Sequence, residues 1–212
     1  MTPSTETPDA PELPRIVQVG DPVLRAEATL VSPEELATPE FRALVDVMVA
    51  VMRAAPGVGL AAPQIGVGKQ VLVLEDREEY LARAGEKARD ERERVPFPLT
   101  VVVNPTIRLM ETERATFFEG CLSVTGYMAL VPRAALVEVH GLDATGPEVV
   151  PRVWRVRGWP ARIFQHEIDH LRGTLYVDRM HSRSLCSPAE TDRWVGKSTQ
   201  EVADALGVVL GS

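Results

Sequence analysis

The chain has 212 residues, of which 45% are hydrophobic and 25% charged, and its formal net charge is −7. A chain of this length fits one domain that buries roughly 70% of its unfolded surface, so it needs no disulfide framework. The net negative charge argues against binding nucleic acid by broad electrostatic attraction. No apolar run approaches the roughly 20 residues of a membrane span.

The first 14 residues predict a disordered tail, because a segment rich in Pro, Thr and Glu has no apolar face to bury. The tail lacks the basic and apolar regions of a secretory signal, and it contains acids but no arginine, unlike a transit peptide. The chain has only two cysteines, Cys121 and Cys186, which suits a reducing compartment. We therefore predict a cytoplasmic protein.

The first regular element is an amphipathic helix from about residue 39 to residue 54. Its apolar residues recur at spacings of three and four, which is the stripe of a helix packed on a core: Phe41, Leu44, Val45, Met48, Val51 and Met52. Pro56 and Gly57 are expected to end it.

Short β-branched runs, separated by Gly, Pro or Asn, predict strands at 71–74, 100–103, 116–118, 135–140 and 149–156. Mixed charges at 76–94 indicate a solvated face or a flexible insertion. A second long helix is predicted at about 160–172, ending at Gly173, and a third at about 188–206. Strands grouped between helices predict an α+β fold of one domain, with mixed or antiparallel β-sheets packed around the second helix.

That second helix carries the sequence His-Glu-Ile-Asp-His at residues 166–170. Residues four apart on a helix are surface neighbours, about 5–6 Å between Cβ atoms, so His166 and His170 can bind one metal ion. Cys121 is a candidate third ligand, and a catalytic metal keeps its fourth position open for water. A helix with a merely polar face is the alternative, but the apolar flanks Phe164 and Leu171 predict burial, where histidines need partners.

These residue types predict hydrolytic chemistry. A bound metal ion lowers the pKa of its water toward neutrality and can polarise a substrate carbonyl. Glu167, beside a ligand, is then the candidate general base, which would take the water proton and deliver it to the departing amine.

Three segments together resemble the peptide deformylase family: residues 57–64 (GVGLAAPQ), 119–123 (EGCLS) and 165–171 (QHEIDHL). The resemblance runs from about residue 15 to residue 180, so we predict a catalytic domain at 15–185 and a C-terminal helical extension at 186–212. Around the cysteine motif the chain looks closer to the mitochondrial-type branch. Many bacterial deformylases have a proline and an arginine where this chain has Thr125 and Met128, which puts peptide contacts beyond the first residue in doubt.

The resemblance implies a role for each matching residue. The side-chain amide of Gln64 and the backbone N–H of Leu122 would stabilise the oxyanion, alongside Glu167 in catalysis. Glu119 and Arg133 would form an ion pair that holds the Cys121 loop. The substrate, bound as an added strand, would lie against Val58, Gly59, Phe117, Gly120, Trp159 and Ile163. From the sequence alone, the glycines could simply form a turn, the apolar residues could be core, and Asp169 could at most orient an imidazole.

The implied reaction is hydrolysis of the formyl group from N-formylmethionyl nascent peptides, which releases formate. The implied cofactor is one divalent metal ion, Fe(II), for which Zn, Ni or Co can substitute because Cys and His bind all four. The ribosome near its exit tunnel is a further expected partner. Two alternatives remain open: a zincin-like endopeptidase, which takes its third ligand from a downstream residue, and a non-catalytic metal-stabilised module that binds nascent chains or the ribosome.

Overall fold

The computed structural model describes residues 13–55, 57–83 and 85–210. Most of the tail predicted to be disordered, and Pro56 at the predicted helix end, lie outside the described residues. The helices are α1 (Pro33–Leu36), α2 (Pro39–Ala54), α3 (Glu78–Arg83), α4 (Glu86–Glu91), α5 (Gly158–Leu171), α6 (Pro188–Thr191) and α7 (Thr199–Leu206). The strands are β1 (Gly59–Ala61), β2 (Val71–Asp76), β3 (Phe97–Cys121), β4 (Val124–Asp143) and β5 (Val150–Arg157).

The described strands form one five-stranded sheet in the order β1-β2-β3-β4-β5, and every neighbouring pair is antiparallel. Consecutive strands pair with each other, so the sheet is a meander. The β3 and β4 strands make a long hairpin whose turn, Leu122-Ser123, brings Cys121 opposite Val124. This arrangement confirms the predicted α+β class with an antiparallel sheet.

The sheet is buried on both faces near its centre, which explains the continuous apolar runs in β2 and β3. Leu72, Leu74 and Val102 pack with helix α5 in one cluster, whereas their neighbours Val71 and Val73 pack with helix α2 in another. Successive side chains on a strand point to opposite faces, so each run serves two helices at once.

Helix α2 occupies the residues that its sequence predicts. The hydroxyl of Thr38 accepts a hydrogen bond from the Phe41 N–H at 3.2 Å, and Pro39 is the first helical residue. A side-chain acceptor at the N-cap and proline in the first turn are favourable starts, because the first N–H groups of a helix have no partner within it. Its buried stripe includes Phe41, Val45 and Met48.

Helix α5 lies against strands β1 to β5 and is the central helix of the fold. It begins at Gly158, whose φ of +64° and close approach to the Glu93 backbone require a residue without Cβ. It ends as predicted before Gly173, where φ is +67°. Because α5 contacts all five strands, most of its side chains are buried against the sheet. Within the described residues, no helix is both long and apolar enough to cross a membrane.

Three sequence predictions were incomplete. The runs 100–103 and 116–118 belong to a single strand, β3, because pairing with β4 carries the chain through register shifts, one of them at Asn104-Pro105. Strand β1 was not predicted. The third helix is interrupted: α6 and α7 are separated by a 3₁₀ turn and by Gly196, whose φ is +77°, and α7 begins at the N-cap Ser198.

The predicted insertion at 76–94 contains the two short helices α3 and α4. Its ends are joined by a two-bond ion pair between Arg94 and Asp76, at 2.7 and 2.9 Å, in which Asp76 is fully buried. The segment is therefore anchored to the sheet rather than being wholly a solvated face.

Candidate metal centre and catalytic cavity

The structure brings the three predicted metal ligands together. Cys121 ends strand β3 at the tip of the long hairpin, and His166 and His170 lie one turn apart on α5. The candidate ligand atoms of the three residues are all within 4.8 Å of one another, and the Cys121 sulfur lies 3.2 Å from His170 Nε2. Among the described residues this group has three members, which leaves a coordination position open as catalytic metal sites require.

A carboxylate sets the orientation of one of the two imidazoles. His166 Nδ1 lies 3.0 Å from Glu119 Oε2, and an ionised carboxylate can only accept, so Nδ1 carries the proton. His166 Nε2 then keeps its lone pair for a metal ion. A carboxylate behind a ligand histidine is the usual arrangement at metal sites, so the thiol and the two imidazoles fit a divalent metal ion.

Glu119 is held by two buried arginines. Arg133 donates two hydrogen bonds to it, at 3.0 and 2.9 Å, and Arg162 donates a third at 2.6 Å. Burial opposes ionisation, but the bonds from His166 and Arg133 keep the pKa of Glu119 well below its usual value. The predicted Glu119–Arg133 pair is present, and the carboxylate stays charged without repelling the neighbouring Cys121.

Asp169, which from the sequence could at most orient an imidazole, makes no hydrogen bond to a histidine among the described residues. Its carboxylate instead accepts from Arg133 at 2.5 Å and from Arg179 at 2.6 and 2.7 Å. The reason is helical geometry: Asp169 points away from the histidine face of α5 and toward the side where Arg133 approaches. Arg133 thus bridges the two carboxylates Glu119 and Asp169.

Glu167 has the surroundings of a proton carrier. It is 4% exposed, and its Oε2 has no hydrogen-bond partner among the described residues. Burial raises its pKa to about 7. Its Oε1 lies against Gly59 of β1, where a Cβ would stand only 2.4 Å away. Gly59 therefore makes the space that the Glu167 carboxylate occupies.

The amide of Gln64 is oriented by its oxygen. Gln64 Oε1 accepts from the Ala61 N–H at 2.8 Å, so the Nε2 donor faces the metal group. That nitrogen lies 3.6 Å from the Cys121 sulfur and 3.3 Å from Ser123 Oγ. A buried amide that presents its N–H₂ to the site suits an oxyanion donor.

A cavity of about 340 Å³ opens onto this group. Most residues that the sequence analysis placed at the substrate line it: Val58, Gly59, Gly120, Trp159 and Ile163, together with Gln64, Leu122, His166 and Glu167. Phe117 does not line it and is the exception. The guanidinium of Arg162 covers the Phe117 ring at 5.2 Å, and the ring faces a neighbouring cavity instead.

Several cavity residues were missed by sequence reasoning. Arg162 is 4% exposed and also donates to the carbonyls of Val131 and Ala115, at 2.9 and 2.6 Å. Its signal was an arginine on an apolar stretch of the motif helix. Tyr127 of β4 lines the cavity too, and Pro188 brings the C-terminal segment to its rim. Met128, which the sequence had marked as a departure from the bacterial pattern, also lines it. No sequence pattern pointed to Pro188.

A buried carboxylate whose Oε2 has no partner among the described residues, set beside a thiol and two imidazoles that can share one ion, is the arrangement of a metal-dependent hydrolase. Comparison with known proteins makes this more specific. Residues 13–185 match the family model described as polypeptide deformylase. The chain is 46% identical over 178 residues to the human "Peptide deformylase, mitochondrial", which covers 84% of this chain and 72% of that protein.

A bacterial relative has the same identity. "Peptide deformylase 1" of Streptomyces coelicolor is 46% identical over 196 residues, 92% of this chain and 86% of that one. The Met-Ala-Ser-bound crystal structure of the class I type b peptide deformylase from Acinetobacter baumannii superposes with a TM-score of 0.67 at 34% identity, covering 80% of this chain and 99% of that one. The chain belongs to the peptide deformylase family. It is a metallohydrolase that removes the formyl group from N-formylmethionyl peptides.

Proposed function

We propose that deformylation takes place in the 340 Å³ cavity, with Cys121, His166 and His170 holding one divalent metal ion and Glu167 moving the proton. The observation that carries this proposal is that Cys121, from the hairpin tip, lies beside His166, His170 and the buried Glu167 of helix α5. A metal ion bound there would supply a water acidified toward neutral pH and a Lewis acid for the formyl oxygen.

Glu167 is suited to both halves of the proton transfer. A carboxylate whose pKa lies near 7 is a stronger base than an exposed one, and it can also release its proton at neutral pH. With no hydrogen-bond partner on Oε2, it is free to accept from the attacking water. After attack it delivers this proton to the departing α-amine, which leaves formate and the free peptide.

Gln64 and Leu122 are the proposed oxyanion donors. The Gln64 amide cannot turn away, because its oxygen accepts from the Ala61 N–H, so its N–H₂ stays on the side of Cys121, where it would donate to the formyl oxygen of a bound substrate. Leu122 follows the Cys121 ligand in the hairpin turn and lines the same cavity. Donors fixed in advance cost no reorganisation when charge develops on the formyl oxygen.

The peptide is proposed to bind beside β1, which is an edge strand of the sheet. An edge offers unpaired backbone groups, so an extended substrate can add to it by main-chain hydrogen bonds. Gly59 and Gly120 allow close backbone approach, and Val58, Trp159 and Ile163 offer an apolar wall to the methionine side chain. Where many bacterial deformylases have an arginine, Met128 would offer the peptide an apolar contact instead of a charged one.

The metal is proposed to be Fe(II), with Zn, Ni or Co as substitutes, because thiolate and imidazole accept all of these ions. We further propose a cytoplasmic location, with the ribosome near its exit tunnel as partner, supported by the nascent-chain substrate of the family. The division into a catalytic domain at 15–185 and an extension at 186–212 is also proposed. Pro188, which lines the catalytic cavity, supports a contact between this extension and the catalytic unit.

The proposal is tested by measuring formate release from formyl-Met-Ala-Ser with enzyme purified anaerobically and its metal content determined on the same sample. Formate release in proportion to bound metal supports it. Cleavage of an internal peptide bond would instead favour the zincin-like endopeptidase, and peptide binding without turnover would favour the non-catalytic module.

A further inference from the structure

A second cavity, of about 450 Å³, lies next to the catalytic one. One wall is built by the segment that holds α3 and α4, through Tyr80 and Lys87, and the opposite wall by the C-terminal segment, through Trp194 and Lys197. None of the proposed catalytic steps uses a residue of this lining. The cavity is larger than the catalytic cavity and within the size range of small-molecule sites.

Arg92 is the unusual residue of this cavity. Its guanidinium is partly buried and lies over the rings of Phe117 and Trp159, 5.7 and 5.1 Å from their centroids. Among the described residues, it makes no hydrogen bond and has no carboxylate in salt-bridge range. Burial and then the nearby Arg94 lower its pKa, but a guanidinium remains protonated in proteins. The two rings offset part of the cost of burying this cation, but they do not neutralise it, so an anion bound beside the guanidinium would be favoured.

The other charges at the cavity do not neutralise Arg92. Arg94 is already paired with Asp76 in the two-bond contact at the base of the segment. Lys87 and Lys197 add two exposed ammonium groups, and Glu91 is the one acidic side chain among the described lining residues. Lys197 is within 3.9 Å of Glu201, so Arg92 and Lys87 are the lining cations without an ion-pair partner among the described residues.

Aromatic rings supply the rest of the surface. Phe117 and Phe118 of β3 line the cavity, together with Tyr80 from the α3 segment and Trp194 from the C-terminal segment. Rings of this kind favour a flat apolar group by stacking and edge contacts, each worth more than area burial alone. An anionic group beside the guanidinium and a ring between the aromatic walls would satisfy both features together.

We propose that this cavity is a second binding site, for a small ligand that joins a flat ring to a phosphate or carboxylate group. The anionic group lies against Arg92 and within reach of Lys87 and Lys197. The ring packs against Phe117, Phe118 and Trp194. The site is independent of the reaction chemistry, since no proposed metal ligand or proton carrier lines it.

The first experiment measures binding to the full-length, metal-loaded enzyme by titration calorimetry, with phenyl phosphate, benzoate, inorganic phosphate and phenol as probes. Phenyl phosphate or benzoate is expected to bind with a dissociation constant on the order of 1 mM, as small fragments do. Inorganic phosphate and phenol, which each lack one half of the ligand, should bind clearly more weakly. The tighter of the first two probes identifies the anionic group. The proposal would be overturned if inorganic phosphate bound as tightly as phenyl phosphate, or if neither phenyl phosphate nor benzoate bound.

The second experiment locates the site with variants. Arg92→Gln should weaken phenyl phosphate or benzoate by about tenfold or more, the effect of losing one hydrogen bond to a charged group. The double variant Lys87→Gln/Lys197→Gln changes only exposed side chains, so a weakening there cannot come from misfolding. Arg193→Gln is the matched control, because it removes the same charge from a residue adjacent to Trp194 that does not line the cavity. Unchanged affinity in both lining variants would refute the site.

A third experiment repeats the titration with excess Met-Ala-Ser, which is expected to fill the catalytic cavity, and so tests whether the probe binds there. Binding that persists supports the second cavity. Binding that disappears would assign the probe to the catalytic cavity and overturn the proposal.

Discussion

Replacing Gly59 by alanine should disable the proton carrier without touching a metal ligand. A Cβ at this position would stand 2.4 Å from Glu167 Oε1, 2.8 Å from its Cδ and 2.9 Å from its Cγ, whereas ordinary contacts begin at 3.4 Å. Three overlapping atoms of one side chain cannot be relieved by a small rotation. The carboxylate must therefore retreat by about 1 Å, and a misplacement of that size can lower the rate about 100-fold.

The expected result for Gly59→Ala is a kcat lower by about 100-fold, equivalent to about 2.7 kcal/mol of transition-state stabilisation, with full metal content. The assay is formate release from formyl-Met-Ala-Ser at saturating substrate, with metal measured on the same sample. Gly68→Ala is the matched control, because nothing lies within 4 Å of a Cβ there.

The mechanism of the loss can be separated from general damage by a double-mutant cycle. If Gly59→Ala acts by displacing Glu167, it should have almost no further effect in the Glu167→Ala background, since the group it displaces is already absent. A Gly59→Ala enzyme with near-native kcat would refute the reasoning. So would a second 100-fold loss on top of Glu167→Ala.

Glu167→Ala itself should keep the metal but lose about 10²–10⁴-fold in kcat, and a fully loaded variant with a native rate would remove Glu167 from the mechanism. Cys121→Ser should change the metal preference or empty the site, since a hydroxyl is a harder and weaker ligand than a thiolate; unchanged metal content and selectivity by elemental analysis would contradict the three-ligand site. Arg133→Met should destabilise the protein by about 3–5 kcal/mol in urea unfolding, and Arg162→Met by about 1.5–3 kcal/mol, because Arg133 bridges two buried carboxylates whereas Arg162 bonds one; the reverse order would contradict this account of the network. Acetyl-Met-Ala should react far more slowly than formyl-Met-Ala, because its methyl group must fit where the formyl group has only hydrogen; equal kcat/KM values would indicate a general amidohydrolase.

The elements predictable from sequence were those specified by local pattern. Helix α2 follows from its stripe and its Thr38 cap, and α5 follows from its apolar flanks and Gly173. The β3 strand was harder, because Asn104 and Pro105 look like a break. Pairing with β4 overrides that local signal through a register shift, and no window of the sequence contains the partner strand.

The candidate site shows the same division. The histidine pair is a property of one helix, so its spacing could be read from the sequence. Cys121 was a candidate third ligand by residue type, and the resemblance of the EGCLS segment supported it. Arg162 and Phe117 depended on how a helix face meets a strand. The Arg162 side chain bonds Glu119, which adds Arg162 to the site. It also covers the Phe117 ring, which does not line the catalytic cavity. Such contacts follow from tertiary packing, which sequence spacing does not encode.

A metal ion bound by Cys121, His166 and His170 would join two parts of the fold that buried hydrogen bonds and ion pairs already connect. Cys121 belongs to the hairpin tip, and His166 and His170 belong to α5, so an ion shared by all three would link the tip to the helix. The Glu119–His166 bond already spans the same gap, at 3.0 Å, and Arg133 extends it to Asp169. A site assembled by this network needs little rearrangement to accept the ion, so more of the metal-binding free energy is available to stabilise the fold. The charges that orient the ligands therefore also connect the hairpin to the helix before any metal arrives.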